Sequence, residues 1–284
     1  MSHLLRSILS GSARPFFGSS LGRGAGCHPR LVLAVLIICG TLAYHYLGTT
    51  EYQNDFTRRT QRLAFATAQE EVALGLQSAP LMIREMGGQS RDAQGQAAVD
   101  RIGARLVQST LARQTPYPFE FHLLADAQMI NAFALPGGQI FITEALYRML
   151  KSEDQLAGVL GHEIGHVVGR HSNEQMATTK LWSGLAQGVG VLLSDGQSNA
   201  GAHIAQMVAN YRVMKFGRDD ELESDALGVR FLIEAGYDPE AMIGVMEILA
   251  QAAKGNRQPE MLSTHPNPEN RAEKIREIIA KYRK

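Results

Sequence analysis

The stretch that decides the fold is Leu160-Gly161-His162-Glu163-Ile164-Gly165-His166-Val167-Val168-Gly169-Arg170. It contains H-E-x-x-H within an apolar pattern of helical period. In a helix, residues four apart lie on one face about 6 Å apart, so His162 and His166 offer two imidazole rings to one metal ion. Glu163, one position further round the helix, reaches a water held at that ion. The motif therefore predicts a zinc-binding helix.

This motif needs support from its surroundings, because a pair of helical histidines also occurs as ordinary core or surface polar residues. A zinc peptidase requires a third protein ligand, an open coordination position and a strand that holds substrate. Locally, Ser152 and Gln155 form a capping box that opens a helix over Ser152–His171. Its predicted buried stripe is Leu156, Leu160, Ile164 and Val167.

A second stripe of the same helix consists of glycines at positions 158, 161, 165 and 169. Each interior glycine costs roughly 1 kcal/mol relative to alanine. We therefore predict that another helix or backbone segment approaches closely on this side. His171 lies nine residues after His162 and half a turn round from it, so we expect a helix-end histidine and not a ligand.

The second informative stretch, residues 217–228, reads GRDDELESDALG and is predicted to open a helix that ends near Ala235. Its predicted apolar stripe is Leu222, Ala226, Val229 and Ile233. Glu221 and Asp225 flank this stripe at a spacing of four, whereas Glu223 falls on a solvated face. Glu221 is therefore the predicted third metal ligand. Asp225 is predicted to orient an imidazole through its other ring nitrogen.

The alternative interpretation of this acidic cluster is a helix N-terminus whose macrodipole favours negative charge. That interpretation accounts for Asp219 and Asp220, and less well for Glu221 with Asp225.

Between the N-terminal region and the motif helix, the period of the sequence changes to that of strands. Residues 119–123 alternate apolar and polar, which predicts a half-buried strand. Residues 130–135 and 139–143 flank Pro136-Gly137-Gly138 and predict a hairpin. Its residues Asn131, Ala132, Phe133 and Ala134 are predicted to form an edge that pairs with an extended peptide substrate. A hairpin that only caps the core fits the pattern equally well.

The first 50 residues differ in composition from the remainder. They contain none of the 28 acidic residues but four arginines, at positions 6, 14, 23 and 30. We predict a basic N-terminal segment over residues 1–30, disordered or targeting, and a transmembrane signal-anchor over residues 31–47. The positive-inside rule then exports the body of the protein. A cleaved signal peptide, a lipid-modified Cys39 and a mitochondrial presequence are the alternatives.

The body of the protein follows this segment and contains no cysteine, because the two cysteines are Cys27 and Cys39. A disulfide framework is excluded, and a closed structural zinc site, which usually uses Cys, is disfavoured. The formal net charge is zero and no basic patch stands out, so no nucleic-acid partner is expected.

The remaining elements are predicted to be helical. Residues 48–94 form a helical linker with a helix over about Asp55–Leu76, and Gly87-Gly88 breaks the region before a packing helix over about Gln94–Ala112. Residues 181–210 form a core helix or a mobile flap.

Four ordered blocks together resemble the HtpX, BepA, Oma and CAAX-prenyl-protease family of zinc metallopeptidases, over roughly residues 95–284. They are Asn131–Gly138, His162–His166, Glu221–Ala226, and His265-Pro266 followed by Arg271. The resemblance implies an α+β fold of gluzincin type: a mostly helical zincin-like domain over residues 95–284 with a small β-sheet beside the H-E-x-x-H helix. It also implies one Zn2+ per chain, with Glu221 as third ligand. This chain lacks a multi-span membrane region and a tetratricopeptide tail, which favours the single-anchor, quality-control type of member.

The predicted activity is that of a membrane-anchored zinc metalloendopeptidase that cleaves misfolded or misassembled proteins, in a bacterial periplasm or at the mitochondrial inner membrane. Glu163 is the predicted base, and His265 or Arg271 the predicted oxyanion donor. His265 is alternatively a ligand that masks the zinc, or part of a surface turn. Two other functions are a chaperone-like factor that binds clients with little turnover, and a structural zinc domain.

Overall fold

Helices dominate the fold, and two small sheets lie among them. The computed structural model describes residues 29–193, 216–254, 259–265 and 270–282. In chain order the elements are α1 (Pro29–Leu47), β1 (Thr50–Gln53), β2 (Thr60–Leu63), α2 (Ala68–Glu85), α3 (Ala93–Ser109), a 3-10 turn (Leu111–Gln114), β3 (Glu120–Leu124), β4 (Ala132–Leu135), β5 (Gln139–Thr143), α4 (Glu144–Tyr147), α5 (Glu153–Val168), α6 (His171–Leu193), α7 (Arg218–Ala235), α8 (Ala241–Lys254), α9 (Glu260–Thr264) and α10 (Arg271–Tyr282). The predicted mostly helical α+β class is confirmed.

Helix α5, which carries the motif, lies at the centre of the core. Ser152 caps it by accepting a hydrogen bond from the Gln155 amide at 3.2 Å, and every residue from Leu156 to Val168 is buried. It packs most extensively on α7 and also on α3, α8 and β4. A Cβ on Gly165 would lie 2.9 Å from the Ser224 carbonyl oxygen of α7. The predicted close approach at the glycine stripe is confirmed, and it brings α7 alongside the motif.

Helix α7 is buried more widely than its predicted stripe. The buried residues are Glu221, Ser224, Asp225, Leu227, Gly228, Val229, Phe231, Leu232 and Ala235. The predicted stripe residues Leu222, Ala226 and Ile233 are only half-buried, so that part of the prediction is wrong. The physical reason is that α7 packs between α5, α3 and α10, and a helix covered on several sides has no single apolar stripe.

The larger sheet has the strand order β3-β5-β4, with β3 parallel and β4 antiparallel to β5. The predicted hairpin is confirmed, and its turn uses Gly137 and Gly138 at φ values of 81° and 102°, which favour glycine. At the β3 edge, Gln96 donates to the Phe121 carbonyl at 2.9 Å and accepts from the Leu123 amide at 2.8 Å. The Gln96 side chain, which belongs to α3, therefore already forms hydrogen bonds with backbone groups of β3 that an added strand would need.

The prediction of one helix from Asp55 to Leu76 is wrong in its first half. Residues 50–63 form an antiparallel hairpin of β1 and β2, and α2 begins only at Ala68. The cause is turn chemistry: the Asn54 side chain accepts hydrogen bonds from the Phe56 and Thr57 amides, at 2.9 and 3.2 Å. The packing helix predicted over Gln94–Ala112 corresponds to α3.

The N-terminal helix α1 packs along α6. Across the described part of the chain, no helix combines the length and the apolar composition that a membrane span requires. The signal-anchor predicted over residues 31–47 is thus not confirmed. Apart from Pro29 and Arg30, the basic segment before it lies outside the described residues. The first part of the predicted flap belongs to α6, and its residues 194–210 also lie outside the described residues.

Candidate metal centre

Three predicted ligands converge between α5 and α7. His162 Nε2 lies 3.1 Å from His166 Nε2. Glu221 places Oε2 at 3.5 Å from His162 Nε2 and Oε1 at 3.4 Å from His166 Nε2. Two ligands at about 2.1 Å from a tetrahedral zinc ion lie about 3.4 Å apart. Each histidine nitrogen therefore lies near the spacing that one such ion requires, both from the other histidine nitrogen and from one oxygen of the Glu221 carboxylate.

His265, the residue after α9, places its ring beside the same donor atoms. Its Nδ1 lies 2.9 Å from Glu221 Oε1 and 3.4 Å from His162 Nε2. Donor atoms of His162, His166, Glu221 and His265 all fall within 4.8 Å of one another, and all four residues are buried. The imidazole of His265 thus lies within reach of an ion that the other three residues could hold. Pro266, which follows it in the sequence, lies outside the described residues.

The donor set fits a divalent cation of zinc's type. Imidazole nitrogen and carboxylate oxygen are both common zinc donors, and two His with one Glu is a known catalytic ligand set. Both carboxylate oxygens of Glu163 and Nε2 of His265 are buried without a hydrogen-bond partner among the described residues. Buried polar atoms of this kind normally have a partner, so they point to a species that binds between them.

A carboxylate and a guanidinium fix the ring of His162 from behind. Asp225 Oδ1 lies 3.0 Å from His162 Nδ1, which leaves Nε2 directed at the other donors. Arg271 donates two hydrogen bonds to Asp225, of 2.6 and 2.7 Å, and its Nη1 lies 3.1 Å from Glu221 Oε2. The predicted orienting position of Asp225 agrees with this geometry. Arg271 directs its donors at these two carboxylates.

Burial and charge set the protonation of the site. Burial raises the pKa of Glu163. Burial also acts to raise the pKa of Glu221, but the neighbouring His265 and His166 outweigh it and hold that pKa well below its usual range. Burial lowers the pKa of His166 well below its usual value, so its ring is neutral. A neutral imidazole beside an ionised carboxylate is the state in which both bind a metal.

Two further rings border this site: the sequence predicted no role for Phe216, and it predicted His171 to be a helix-end histidine that is not a ligand. Phe216 stacks on the His166 ring with centroids 4.0 Å apart, and lies 5.2 Å from the His265 ring. His171 places Nδ1 at 2.9 Å from Nδ1 of His166. The helix predicted to run to His171 instead ends at Val168, because Arg170 turns the chain with φ of 57°, and His171 begins α6.

The predicted substrate strand lies close to the metal helix. Strand β4 packs on α5 and forms one edge of the order β3-β5-β4, and it contains Ala132, Phe133 and Ala134. Asn131 directly precedes it and is buried, with Oδ1 lacking a hydrogen-bond partner among the described residues.

Comparison with known proteins finds a family model and relatives that match most of this chain. A sequence model described as peptidase family M48 matches residues 93–279. The chain is 34% identical over 180 residues to a beta-barrel assembly-enhancing protease of Escherichia coli (strain K12), covering 61% of this chain and 36% of that protein. It is 32% identical over 184 residues to the mitochondrial metalloendopeptidase OMA1 of Schizosaccharomyces pombe, covering 64% of this chain and 52% of that protein. The match thus spans about a third to a half of the length of these relatives.

Proposed function

The chain belongs to peptidase family M48, and on this premise we propose that it is a zinc-dependent endopeptidase that cleaves misfolded or misassembled proteins. The observation that carries the proposal is the spacing of 3.1 to 3.5 Å among His162 Nε2, His166 Nε2 and the Glu221 carboxylate. These three residues would hold the zinc ion. When bound, zinc polarises a carbonyl oxygen and lowers the pKa of water toward about 7.

Glu163 is the general base of the proposed reaction. Its side chain is fully buried beside His162, and both of its oxygens lack a hydrogen-bond partner among the described residues. Its carboxylate accepts the proton of the attacking water and passes it to the leaving amine. The raised pKa of Glu163, caused by burial, favours this exchange because the optimal pKa of a general base lies near the working pH.

An extended peptide is held along β4. The β3 edge of the sheet is capped by Gln96, whereas β4 lies against α5, which carries the metal ligands. Backbone pairing along a strand next to the metal would place a peptide bond at the reacting atoms without demanding a particular side chain. That mode of binding suits a peptidase for unfolded chains.

In this proposal His265 would mask the metal at rest. Its Nδ1 is 2.9 Å from Glu221 Oε1, and its Nε2 is 3.7 Å from Glu163 Oε1, so the ring lies between the third ligand and the base. Substrate would then have to displace His265. In this proposal Arg271 is a positioning residue, because its donors hold Asp225 and Glu221; the predicted oxyanion role of either residue remains the alternative.

The relatives support the cellular role. They include a beta-barrel assembly-enhancing protease and a mitochondrial metalloendopeptidase, which favours quality control in a bacterial envelope or in mitochondria. Attachment through residues 31–47 and the domain boundaries given above stay predictions. A client-binding factor with little turnover is the second candidate, and an intact Glu163 favours the peptidase over it.

Cleavage and zinc content of the full chain test the proposal. The wild type should contain one zinc ion per chain and cleave an unfolded protein, and chelator should abolish cleavage. Glu163→Gln should keep zinc and lose about 100- to 10,000-fold in rate. The exposed Glu247→Gln is the matched control. A wild type that binds unfolded chains but cleaves none would favour the client-binding factor, and cleavage by Glu163→Gln would exclude Glu163 as the base.

A further inference from the structure

His171 is a fully buried histidine that the proposed reaction does not use. It begins α6, directly after the turn at Arg170, and its ring is edge-on to that of His166 with centroids 5.0 Å apart. The two Nδ1 atoms are 2.9 Å apart. On its other side, His171 Nε2 lies 2.7 Å from Glu223 Oε2. The ring therefore bridges a metal ligand and a carboxylate.

One arrangement of protons satisfies the contacts that link His166 through His171 to Glu223. If His166 directs the Nε2 lone pair at the metal, its Nδ1 carries a proton and donates it to Nδ1 of His171. His171 must then carry its own proton on Nε2, which donates to the Glu223 carboxylate. The Ser224 hydroxyl lies 3.2 Å from the same Nδ1 of His171. Each ring N–H then meets an acceptor, and this arrangement leaves His166 Nε2 without a proton and directed toward Glu221.

Arg59 contacts Glu223, the last group in this series of hydrogen-bonded side chains. Its Nε lies 3.2 Å from Glu223 Oε2, and its Nη2 lies 2.8 Å from Asp220 and 2.6 Å from Glu174. The guanidinium thus contacts both carboxylates of the group His171, Asp220 and Glu223, whose donor atoms lie close enough together to be considered for a second metal ion. Arg59 belongs to the loop between β1 and β2, outside the matched residues 93–279.

The β1–β2 hairpin is itself hydrogen-bonded to the end of α5. Asn54 donates to the Val168 carbonyl at 2.9 Å, and Gln61 donates to the Gly169 carbonyl at 2.8 Å. Gln61 also donates to Glu174 at 2.8 Å. The hairpin therefore holds both the backbone from which His171 emerges and the guanidinium that fixes Glu223.

We propose that His171 and Glu223 are positioning residues of the metal centre, which hold the His166 ring with Nε2 toward the metal, and that Arg59 makes the β1–β2 hairpin part of this centre. The two histidine ligands are then held differently: Asp225 contacts His162 directly, whereas Glu223 acts on His166 through an intervening ring. This inference rests on the proposed function in one respect, namely that His162, His166 and Glu221 bind the metal.

Cobalt binding to the metal-free full chain tests the proposal. Co2+ gives a visible absorption spectrum that reports ligand geometry, and competition with a chelator gives the affinity. Partners that orient a metal ligand typically change metal affinity about 10- to 100-fold. We expect His171→Phe, which keeps a ring but loses both hydrogen bonds, to weaken Co2+ binding by about this factor and to alter the spectrum. His171→Gln, which keeps an acceptor and a donor, should recover most of the affinity.

The possible outcomes distinguish a positioning role of His171 from a mere packing role, and they distinguish failure of this inference from failure of the proposed ligand set. Unchanged affinity and spectrum in His171→Phe would overturn the positioning role, and so would equal losses in His171→Phe and His171→Gln. If Glu221→Gln bound Co2+ as tightly as the wild type, the proposed ligand set would fail, and the inference with it. A large loss in Glu221→Gln beside an unchanged His171→Phe would overturn the inference alone.

A separate pair of variants tests the hairpin. Arg59→Met should weaken Co2+ binding about threefold or more, below the effect of His171→Phe, because Arg59 acts through two further groups. Arg58→Met, at the exposed neighbouring position of the same loop, is the control and should bind as the wild type does. Equal Co2+ affinities of Arg59→Met and Arg58→Met would show that the hairpin does not contribute to the metal centre.

Discussion

Replacing Gly165 by alanine perturbs the contact between α5 and α7 without changing any chemical group of the site. The added Cβ would lie 2.9 Å from the Ser224 carbonyl oxygen, 3.0 Å from Ser224 Cα and 3.3 Å from Ser224 Cβ. Carbon atoms prefer separations of about 3.5 Å or more, so α7 must retreat by roughly 0.5 Å at Ser224. The obstacle is backbone and cannot rotate away.

The consequence reaches the ligands because Ser224 lies between Glu221 and Asp225 on α7. Metal sites tolerate deviations of about 0.2 Å in ligand distance, less than the retreat required. Overpacking of a filled core costs about 1 to 3 kcal/mol. Gly165→Ala should therefore lower the free energy of unfolding by that amount and also weaken zinc binding.

Urea denaturation of the metal-free protein and zinc competition measure the two effects. Gly40→Ala is the control, because a Cβ there meets nothing within 4 Å and the residue is in a helix. It should leave zinc binding unchanged and stability equal or higher by up to about 1 kcal/mol. Wild-type stability and zinc affinity in Gly165→Ala would refute the inferred contact between α5 and α7.

Three further predictions concern charged groups. Burial acts to raise the pKa of Asp225, but Arg271 and His162 outweigh it and lower that pKa overall. The stability contributed by the Asp225 carboxylate is therefore fully present above the unfolded pKa of about 3.9, and it is lost as pH falls through the lower pKa of the folded state. Asp225→Asn should thus cost about 3 kcal/mol at pH 7 in urea denaturation, and the cost should shrink below about pH 4; a constant cost would contradict this. Arg170→Met should cost about 3 to 5 kcal/mol, because it leaves the buried carboxylate of Glu71 without its cation, and a loss under 1 kcal/mol in thermal unfolding would contradict it. His265→Ala should keep zinc and raise basal cleavage if His265 masks the metal, whereas lost cleavage with zinc retained would assign it to the oxyanion.

Local patterns predicted several of the side chains that the structure brings together at the candidate metal centre. The spacing of His162 and His166 depends only on helix geometry, and the glycines of α5 indicated a close neighbour before that neighbour was known. Glu221 was selected through the apolar stripe of α7, and the structure places it beside both histidines although the stripe itself was wrong. The reason is that Glu221 and Asp225 face α5, the side on which α7 is buried most deeply.

The remaining features depend on contacts between distant residues. Arg59 meets Glu174 and Asp220, which follow it by 115 and 161 positions, and no periodicity records such a pairing. The β1–β2 hairpin was mistaken for helix because Asn54 side-chain hydrogen bonds decide that turn. Glu223 was assigned to a solvated face, whereas it contacts His171, whose position follows from a left-handed turn at Arg170.

The ligand set of His162, His166 and Glu221 is tested most directly by zinc affinity in two matched variants. Glu221→Gln removes a carboxylate that lies 3.4 and 3.5 Å from the histidine nitrogens, and Glu223→Gln alters one that reaches them only through His171. We expect Glu221→Gln to lose zinc under conditions in which the wild type holds one ion per chain, and Glu223→Gln to weaken it by no more than about 100-fold. Equal zinc affinity in Glu221→Gln and the wild type, or a greater loss in Glu223→Gln, would contradict the proposed metal centre.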